Sequence, residues 1–174
     1  MTSAIVCVDK NWGIGYDGKL LTYIPEDMMF FKHMTSNSVV IMGRKTYDSL
    51  PSKPLPNRVN VVVTSKIDRD WKIDENGTVF VSMDTVKMYL SFIHPLMPID
   101  YLIIGGGQIY KELLPYCDNA YVTKVDCAYK DVDTYFPNLD KNEEWEMVRD
   151  GEEKMYNGLG YKFCIYAKDH SKEV

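Results

Sequence analysis

Tyr101-Leu-Ile-Ile-Gly-Gly-Gly-Gln-Ile-Tyr110 passes from a continuous apolar run, through consecutive glycines, into a helix-like segment, Gln108–Leu114. An unbroken apolar run bounded by turn residues marks a strand covered on both faces. Consecutive glycines let the backbone approach a ligand, and free N–H groups at a helix start favour an anion. The same passage recurs at Val39–Met42, which runs into Gly43-Arg44-Lys45-Thr46 and the helix-like segment Arg44–Leu50. A third apolar run, Val59–Thr64, ends at Thr64-Ser65-Lys66. Strands alternating with helices predict an α/β fold with a mixed, mostly parallel central sheet and flanking helices on both sides.

Further strands are expected at Ala4–Val8, Thr78–Ser82, Ala120–Val125 and Lys162–Ala167, and further helices at Pro25–Met34 and Asp84–Ile93. In the last third, strand patterns succeed one another without helices. An antiparallel C-terminal edge is expected there, closed by a hairpin turn at Asn157–Gly160. On parallel strands the three glycine- or cation-bearing junctions line one sheet edge, where ligands of α/β proteins bind. Together they predict a nucleotide with several phosphates. Gly13-Ile-Gly15-Tyr-Asp-Gly18 matches the spacing of a dinucleotide fingerprint, but the next segment, Lys19–Pro25, is too short and too β-branched for the required helix. Strand two also ends in Gly43-Arg44 rather than in an acid that could hold a ribose. This stretch is read as a mobile glycine-rich loop able to serve as a lid.

The 174 residues fit one domain with a sizeable core. A net charge of -5 gives no support for nucleic acid or an anionic membrane as partner. No apolar run approaches the roughly 18 residues that span a bilayer. The start MTSAIVCVDK does not look like a secretory leader, and the spacing of Cys7, Cys117, Cys127 and Cys164 carries no metal or redox motif. A cytoplasmic monomer with reduced thiols is expected. His33, His94 and His170 have no ligand or triad partners in sequence and are read as surface residues. No zinc spacing or nucleophile elbow is present, so no metal is expected.

Asp27 is the candidate chemical group. Pro25 suits the first helical position, and Glu26 and Asp27 fall in the first turn, where acids complement the helix dipole. That alone could explain both. However, Ile24, Asp27, Met28 and Phe31 follow i, i+3, i+4, i+7 spacing, so Asp27 lies on an apolar stripe while Glu26 points elsewhere. The dipole is worth about 0.3–1 kcal/mol. Desolvation can raise a carboxyl pKa by up to about 3–5 units. If the stripe lines a pocket, desolvation wins and Asp27 is poised for proton work.

The runs AIVCVDKNWGIGYDGKL, PEDMMFFKHMT, VVIMGRKTYDSLP, PLPNR, VNVVVTS, YLIIGGGQIY, AYVTKVD and DVDTYFP occur in the order and spacing seen in dihydrofolate reductases. The chain resembles that family over most of its length. The resemblance implies a single dihydrofolate reductase-like domain over residues 1–170, followed by a polar tail at 171–174. It also implies NADPH-dependent reduction of 7,8-dihydrofolate to 5,6,7,8-tetrahydrofolate, with antifolate inhibitors as further ligands. Asp27, Thr123 and Leu20 take catalytic positions. Ile5, Cys7, Asp27, Met28, Phe31, Leu50, Leu55, Arg58, Ile104 and Thr123 take substrate-binding positions, with Arg58 facing the carboxylate of the glutamate tail. Cys7, Ile14, Gly15, Gly18, Gly43, Arg44, Lys45, Thr46, Thr64, Ser65, Lys66, Ile104, Gly105, Gly106, Gly107, Gln108, Ile109 and Tyr110 take cofactor positions. Arg44 and Ser65 match contacts to the 2′-phosphate, which implies NADPH rather than NADH. The chain departs from the family pattern at Leu21-Thr22, where Pro-Trp is usual, and Tyr23 is expected to replace part of the lost bulk. Asn57 stands for a usual glycine and Gln108 for a frequent arginine. The alternatives are a same-fold pyrimidine reductase of riboflavin synthesis and a catalytically weak structural or binding relative.

Overall fold

The structure is a computed structural model and describes residues 1–172. Thirteen strands occur in chain order: β1 (Thr2–Val8), β2 (Gly13–Tyr16), β3 (Lys19–Leu20), β4 (Val39–Gly43), β5 (Val59–Val63), β6 (Trp71–Ile73), β7 (Val79–Val81), β8 (Tyr101–Gly105), β9 (Asn119–Val125), β10 (Thr134–Tyr135), β11 (Trp145–Asp150), β12 (Lys154–Tyr156) and β13 (Leu159–Lys168). Four α-helices accompany them: α1 (Pro25–Thr35), α2 (Arg44–Ser49), α3 (Met83–Phe92) and α4 (Gly107–Leu113). Ser82 caps α3 by accepting from the Thr85 N–H at 3.1 Å.

Ten strands form one sheet in the order β11-β13-β9-β1-β8-β4-β5-β7-β6, with β12 paired to β13. From β9 to β7 every pairing is parallel. The antiparallel C-terminal edge is present, but it is not the only one. β6 pairs antiparallel with β7 at the opposite edge, where its three exposed residues carry no buried apolar pattern to betray a strand. Alternation along β1, β4 and β8 divides the core. Ala4, Val6, Ile41, Tyr101 and Ile103 pack with Val86 and Leu90 of α3 and Ile109 and Leu113 of α4. Ile5, Val40, Met42, Leu102 and Ile104 face the other way, with Phe30, Phe31 and Met34 of α1 and Tyr47 of α2. The period-two side-chain rule of a pleated strand thereby sends Ile5, Cys7 and Ile104 toward α1, where the site lies.

The expected glycine-rich loop is instead the hairpin β2–β3. Asp17 (φ 48°) and Gly18 (φ 72°) form its turn with consecutive left-handed residues. β2 also pairs with β10, closing a small three-stranded sheet. The C-terminal hairpin turns in the same way, through Asn157 (φ 48°) and Gly158 (φ 77°). The expected tail at 171–174 is described only through Lys172, which ends a short 3-10 turn begun at His170; the rest lies outside the described residues. His94 is half-buried rather than superficial, its ring edge-on to Tyr101 at 4.6 Å.

Gly151, at the β11–β12 connection, has no room for a side chain: a Cβ there would run into the carbonyl of Phe163. Backbone cannot swing aside as a flexible side chain can. Gly151→Ala is therefore expected to cost about 1–3 kcal/mol, seen as a lower urea midpoint at unchanged m-value.

Candidate active site

α1 begins at Pro25 beneath the C-terminal ends of β1 and β9, and its stripe turns Asp27 inward. Asp27 is 8 % exposed and Thr123 1 %. The Thr123 hydroxyl donates to Asp27 Oδ1 at 2.6 Å. Register pairs Thr123 with Cys7 on the adjacent strand. Burial raises the Asp27 pKa above its ordinary value, and the bond from Thr123 opposes that rise only in part. Glu26 behaves oppositely. Its carboxylate accepts from Lys154 Nζ at 2.5 Å and from the Tyr161 hydroxyl, and these bonds, led by that from Lys154, hold its pKa low. The helix thus separates two neighbouring acids, one solvated and paired, the other desolvated. Burial first, and the nearby Asp27 second, push the Cys7 thiol well up, so Cys7 is a neutral wall residue. Tyr110 is buried, and its hydroxyl donates to the Ile5 carbonyl at 2.7 Å, tying α4 to β1 under the site.

Asp27 borders a small cavity of about 20 Å³ lined by Cys7, Ile14, Leu20, Leu21, Thr22, Val125 and Tyr129 among others. That volume holds about one water molecule. Tyr23 does not take the place expected of it. It is 64 % exposed and absent from the cavity lining, whereas Thr22 is part of it. Leu20 borders the cavity although it is 67 % exposed.

Met28, Phe31, Leu50 and Leu55 are half-buried, and Phe31, Leu50 and Leu55 pack against the cluster that holds Ile5 and Ile104. Arg58 donates from Nε to Thr35 Oγ1 at 2.8 Å, from Nη1 to the Pro56 carbonyl at 2.7 Å and from Nη2 to the Lys32 carbonyl at 3.4 Å. A guanidinium has five N–H donors, so one hydrogen on each terminal nitrogen remains for an incoming carboxylate. Partial desolvation lowers the Arg58 pKa from its ordinary value. Asn57 adopts the left-handed conformation (φ 57°), which asparagine tolerates.

The three strand junctions converge as the alternation predicts. Gly43 lies opposite Val63, and Met42 opposite Gly105. Thr46 packs against Gly105, where a Cβ would come within 2.7 Å of its Cγ2; Ile109 packs against Gly43, 3.0 Å from where a Cβ would be. Arg44, Lys45, Ser65 and Lys66 are exposed around this edge, while Thr64 is buried and accepts from the Lys66 N–H at 3.1 Å. Arg44 Nε donates to Asp48 at 3.1 Å, and the guanidinium lies 5.3 Å from the centre of the Phe80 ring on β7, the strand next to β5. Gln108 points away, its amide donating to Glu112 of its own helix at 2.7 Å. Gly106 (φ 97°) and Gly107 complete the turn into α4. Cations, hydroxyls and close-approach glycines are the donor set that phosphates require, so these residues fit a phosphorylated dinucleotide. Gly18, at the hairpin tip, stands apart from this edge with open space around it.

Residues that sequence reasoning passed over hold the site in place. Asn60, 2 % exposed, accepts from the Leu55 N–H and donates to the Leu55 carbonyl, both at 2.9 Å, fixing the turn that presents Arg58. Asp9, 4 % exposed, accepts from the N–H groups of Asn11, Gly13 and Tyr129. Asp133 latches the hairpin, its N–H donating to the Gly15 carbonyl at 3.0 Å and its carboxylate accepting from the Asp17 N–H at 2.9 Å. A polar residue inside or beside an apolar run was the only sequence signal for Asn60 and Asp9. Asp133 lies in the run DVDTYFP that carries the resemblance, but nothing local marks its role, because its partners lie more than a hundred residues away. Among the described residues, no cluster of three or more His, Cys, Asp or Glu is placed to hold a metal.

The family model for dihydrofolate reductase matches residues 1–168. Dihydrofolate reductase of Bacillus subtilis is 37 % identical over 176 aligned residues, covering 100 % of this chain and 98 % of its own. That of Haemophilus influenzae is 34 % identical over 148, covering 85 % of each. A solved structure of dihydrofolate reductase from Enterococcus faecalis, complexed with NADP(H) and RAB-propyl, superposes with a TM-score of 0.80 at 29 % identity, covering 97 % of this chain and 96 % of that one. The matched span, residues 1–168, takes in every strand and junction described above, and on that ground the chain belongs to the dihydrofolate reductase family.

Proposed function

We propose that this chain carries out its family's reaction, the NADPH-dependent reduction of 7,8-dihydrofolate to 5,6,7,8-tetrahydrofolate, with Asp27 orienting the pterin and promoting its protonation. The desolvated Asp27, bonded to Thr123 and bordering the small cavity with Cys7, Ile14 and Val125, is the observation that carries this reading. NADPH, when bound, supplies the hydride for the pterin carbon, and a proton joins the adjacent ring nitrogen. Asp27 grips the pterin through its free oxygen while Thr123 holds the other. The cavity beside Thr22 and Leu20 admits one water between the carboxyl and solvent, a path for that proton. Cys7, Met28, Phe31, Leu50, Leu55 and Ile104 exclude bulk water from the ring, which strengthens every charge interaction within. Arg58 receives the glutamate-tail carboxylate on its two remaining donors.

For the cofactor, Gly43–Thr46, Thr64–Lys66 and Gly105–Tyr110 hold the phosphates and neighbouring groups. Ile14, Gly15 and Gly18 belong to the hairpin that closes over the nicotinamide. Arg44→Ala is expected to lower kcat/KM for NADPH about tenfold or more, the loss of a charge-assisted hydrogen bond, and to leave kcat/KM for NADH within about threefold. Equal losses with both cofactors would remove Arg44 from the 2′-phosphate site.

Residues 1–170 form one catalytic domain, and the site is assembled from a single chain, so a monomer suffices for activity. The cytoplasm, where reduced thiols and NADPH coexist, suits the four free cysteines. The deciding experiment is loss of NADPH absorbance on adding dihydrofolate, abolished by methotrexate. Oxidation of NADPH that does not depend on dihydrofolate would overturn the reading.

A further inference from the structure

We propose that Trp12 is a positioning residue for hydride transfer, anchoring the base of the β2–β3 hairpin so that Ile14 stands at the correct height over the reacting ring; this rests on the function proposed above. Trp12 is 5 % exposed and borders no part of the small cavity beside Asp27. Its backbone is left-handed, with φ 62°. A bulky residue holds that conformation only where its surroundings over-determine it.

The surroundings do so. The Trp12 N–H donates to the Asp9 carbonyl at 3.0 Å, and its own carbonyl accepts from the Phe136 N–H at 2.9 Å. The indole is stacked on Phe136, with centroids 6.1 Å apart and planes at 20°, and meets Tyr166 edge-on at 5.9 Å. Lys124 Nζ lies 5.1 Å from the indole centre and 5.4 Å from that of Tyr166. Asp140 holds the set together. Its carboxylate pairs with Lys124 at 2.8 Å and accepts from the Tyr166 hydroxyl at 2.6 Å. Lys124 and Tyr166 belong to β9 and β13, each paired on both sides within the large sheet, so the indole is seated in rigid structure.

The link to chemistry is short. Gly13 is next in the chain, and a Cβ there would lie 2.7 Å from Val132 Cγ1 and 3.0 Å from Asp9 Oδ1, so the chain has one path away from Trp12. Ile14 comes after it and lines the cavity beside Asp27. A shift of the indole therefore moves Ile14 rather than being absorbed on the way. Hydride transfer depends steeply on such placement, since an error of about 1 Å can cost about 100-fold.

Trp12→Asn deletes the indole but keeps a residue that tolerates the left-handed backbone; Trp12→Phe keeps a ring. Single turnovers of the full chain with NADPH, and with NADPH deuterated at the transferred position, separate rate from folding, because unfolded protein lowers the amplitude and not the rate. Trp12→Asn is expected to slow hydride transfer about 10–100-fold and to raise the isotope effect on kcat, with the NADPH Kd within about threefold of the parent, while Trp12→Phe recovers most of the rate. Wild-type rate and isotope effect in Trp12→Asn, or a loss confined to amplitude, would overturn the proposal. Amide exchange at Ile14 and Gly15 reads the anchor without turnover. It should quicken by about tenfold or more in Trp12→Asn as local opening becomes easier, and unchanged exchange overturns the proposal. A parent protein that fails to oxidise NADPH with dihydrofolate sinks the proposed function instead, and exchange alone then decides whether Trp12 holds the hairpin.

Discussion

Replacing Asp27 by Asn or Ser is expected to lower turnover at neutral pH by roughly 10²–10⁴, the usual worth of a positioned proton-handling group. The loss should shrink as pH falls. Without the carboxyl, protonation of the pterin depends on solvent acidity alone, so the variant's rate climbs steadily toward low pH. The parent should hold its rate to higher pH, because burial keeps Asp27 able to bind a proton above its ordinary value near 3.8. Stopped-flow hydride transfer across pH 5–9 measures both profiles; parallel profiles would remove Asp27 from proton handling. Stability should move the other way. A carboxyl whose pKa is raised by folding adds stability in full below its unfolded value, and that contribution disappears as pH rises through the folded value. Above that window the ionised, desolvated group burdens the fold. Asp27→Asn is therefore expected to be more stable than the parent at pH 7 and to lose this advantage at low pH, which denaturation at the two pH values will show. A site that improves stability when destroyed is one held for function.

Arg58→Leu is expected to raise the KM for dihydrofolate by about 100-fold through loss of two charge-assisted hydrogen bonds, with the KM for NADPH unchanged. The structure adds a second consequence. Thr35 Oγ1 and the carbonyls of Pro56 and Lys32 each lose a donor, so the turn at Pro56–Arg58 should loosen as well. Arg58→Lys restores charge but not the fork and should recover only part of the binding. A pteroate substrate lacking the glutamate tail distinguishes the two effects. It should bind parent and Arg58→Leu alike if the guanidinium serves the tail, and bind the variant worse if Arg58 chiefly supports the wall.

Much of this was legible along the chain because the informative residues are neighbours in sequence. The strands β1, β4, β5, β8 and β9 and all four helices follow from apolar runs, a Pro at a helix start and glycines at junctions, each a property of a few adjacent residues. The inward stripe of Ile24, Asp27, Met28 and Phe31 followed from helical periodicity, and the structure buries Ile24 and Asp27 while leaving Met28 and Phe31 half-buried. The short strands β2, β3, β6 and β10 were not legible, since two to four residues carry no period, and pairing partners alone make them strands. For the same reason a stretch of glycines expected to be a mobile loop is a hairpin, held by Asp133 at the start of the neighbouring strand β10.

Sequence by itself singled out the candidates for chemistry, an acid on an apolar stripe and cations beside glycines. Only the tertiary structure decided what that acid became. The dipole at the start of α1 acts equally on Glu26 and Asp27, and so could not tell them apart. Lys154 and Tyr161 reach Glu26 from β12 and β13, whereas Thr123 and the apolar wall meet Asp27, so one carboxyl is lowered in pKa and its neighbour raised. Desolvation is a sum over everything packed around a group, and that sum exists only once distant strands have come together.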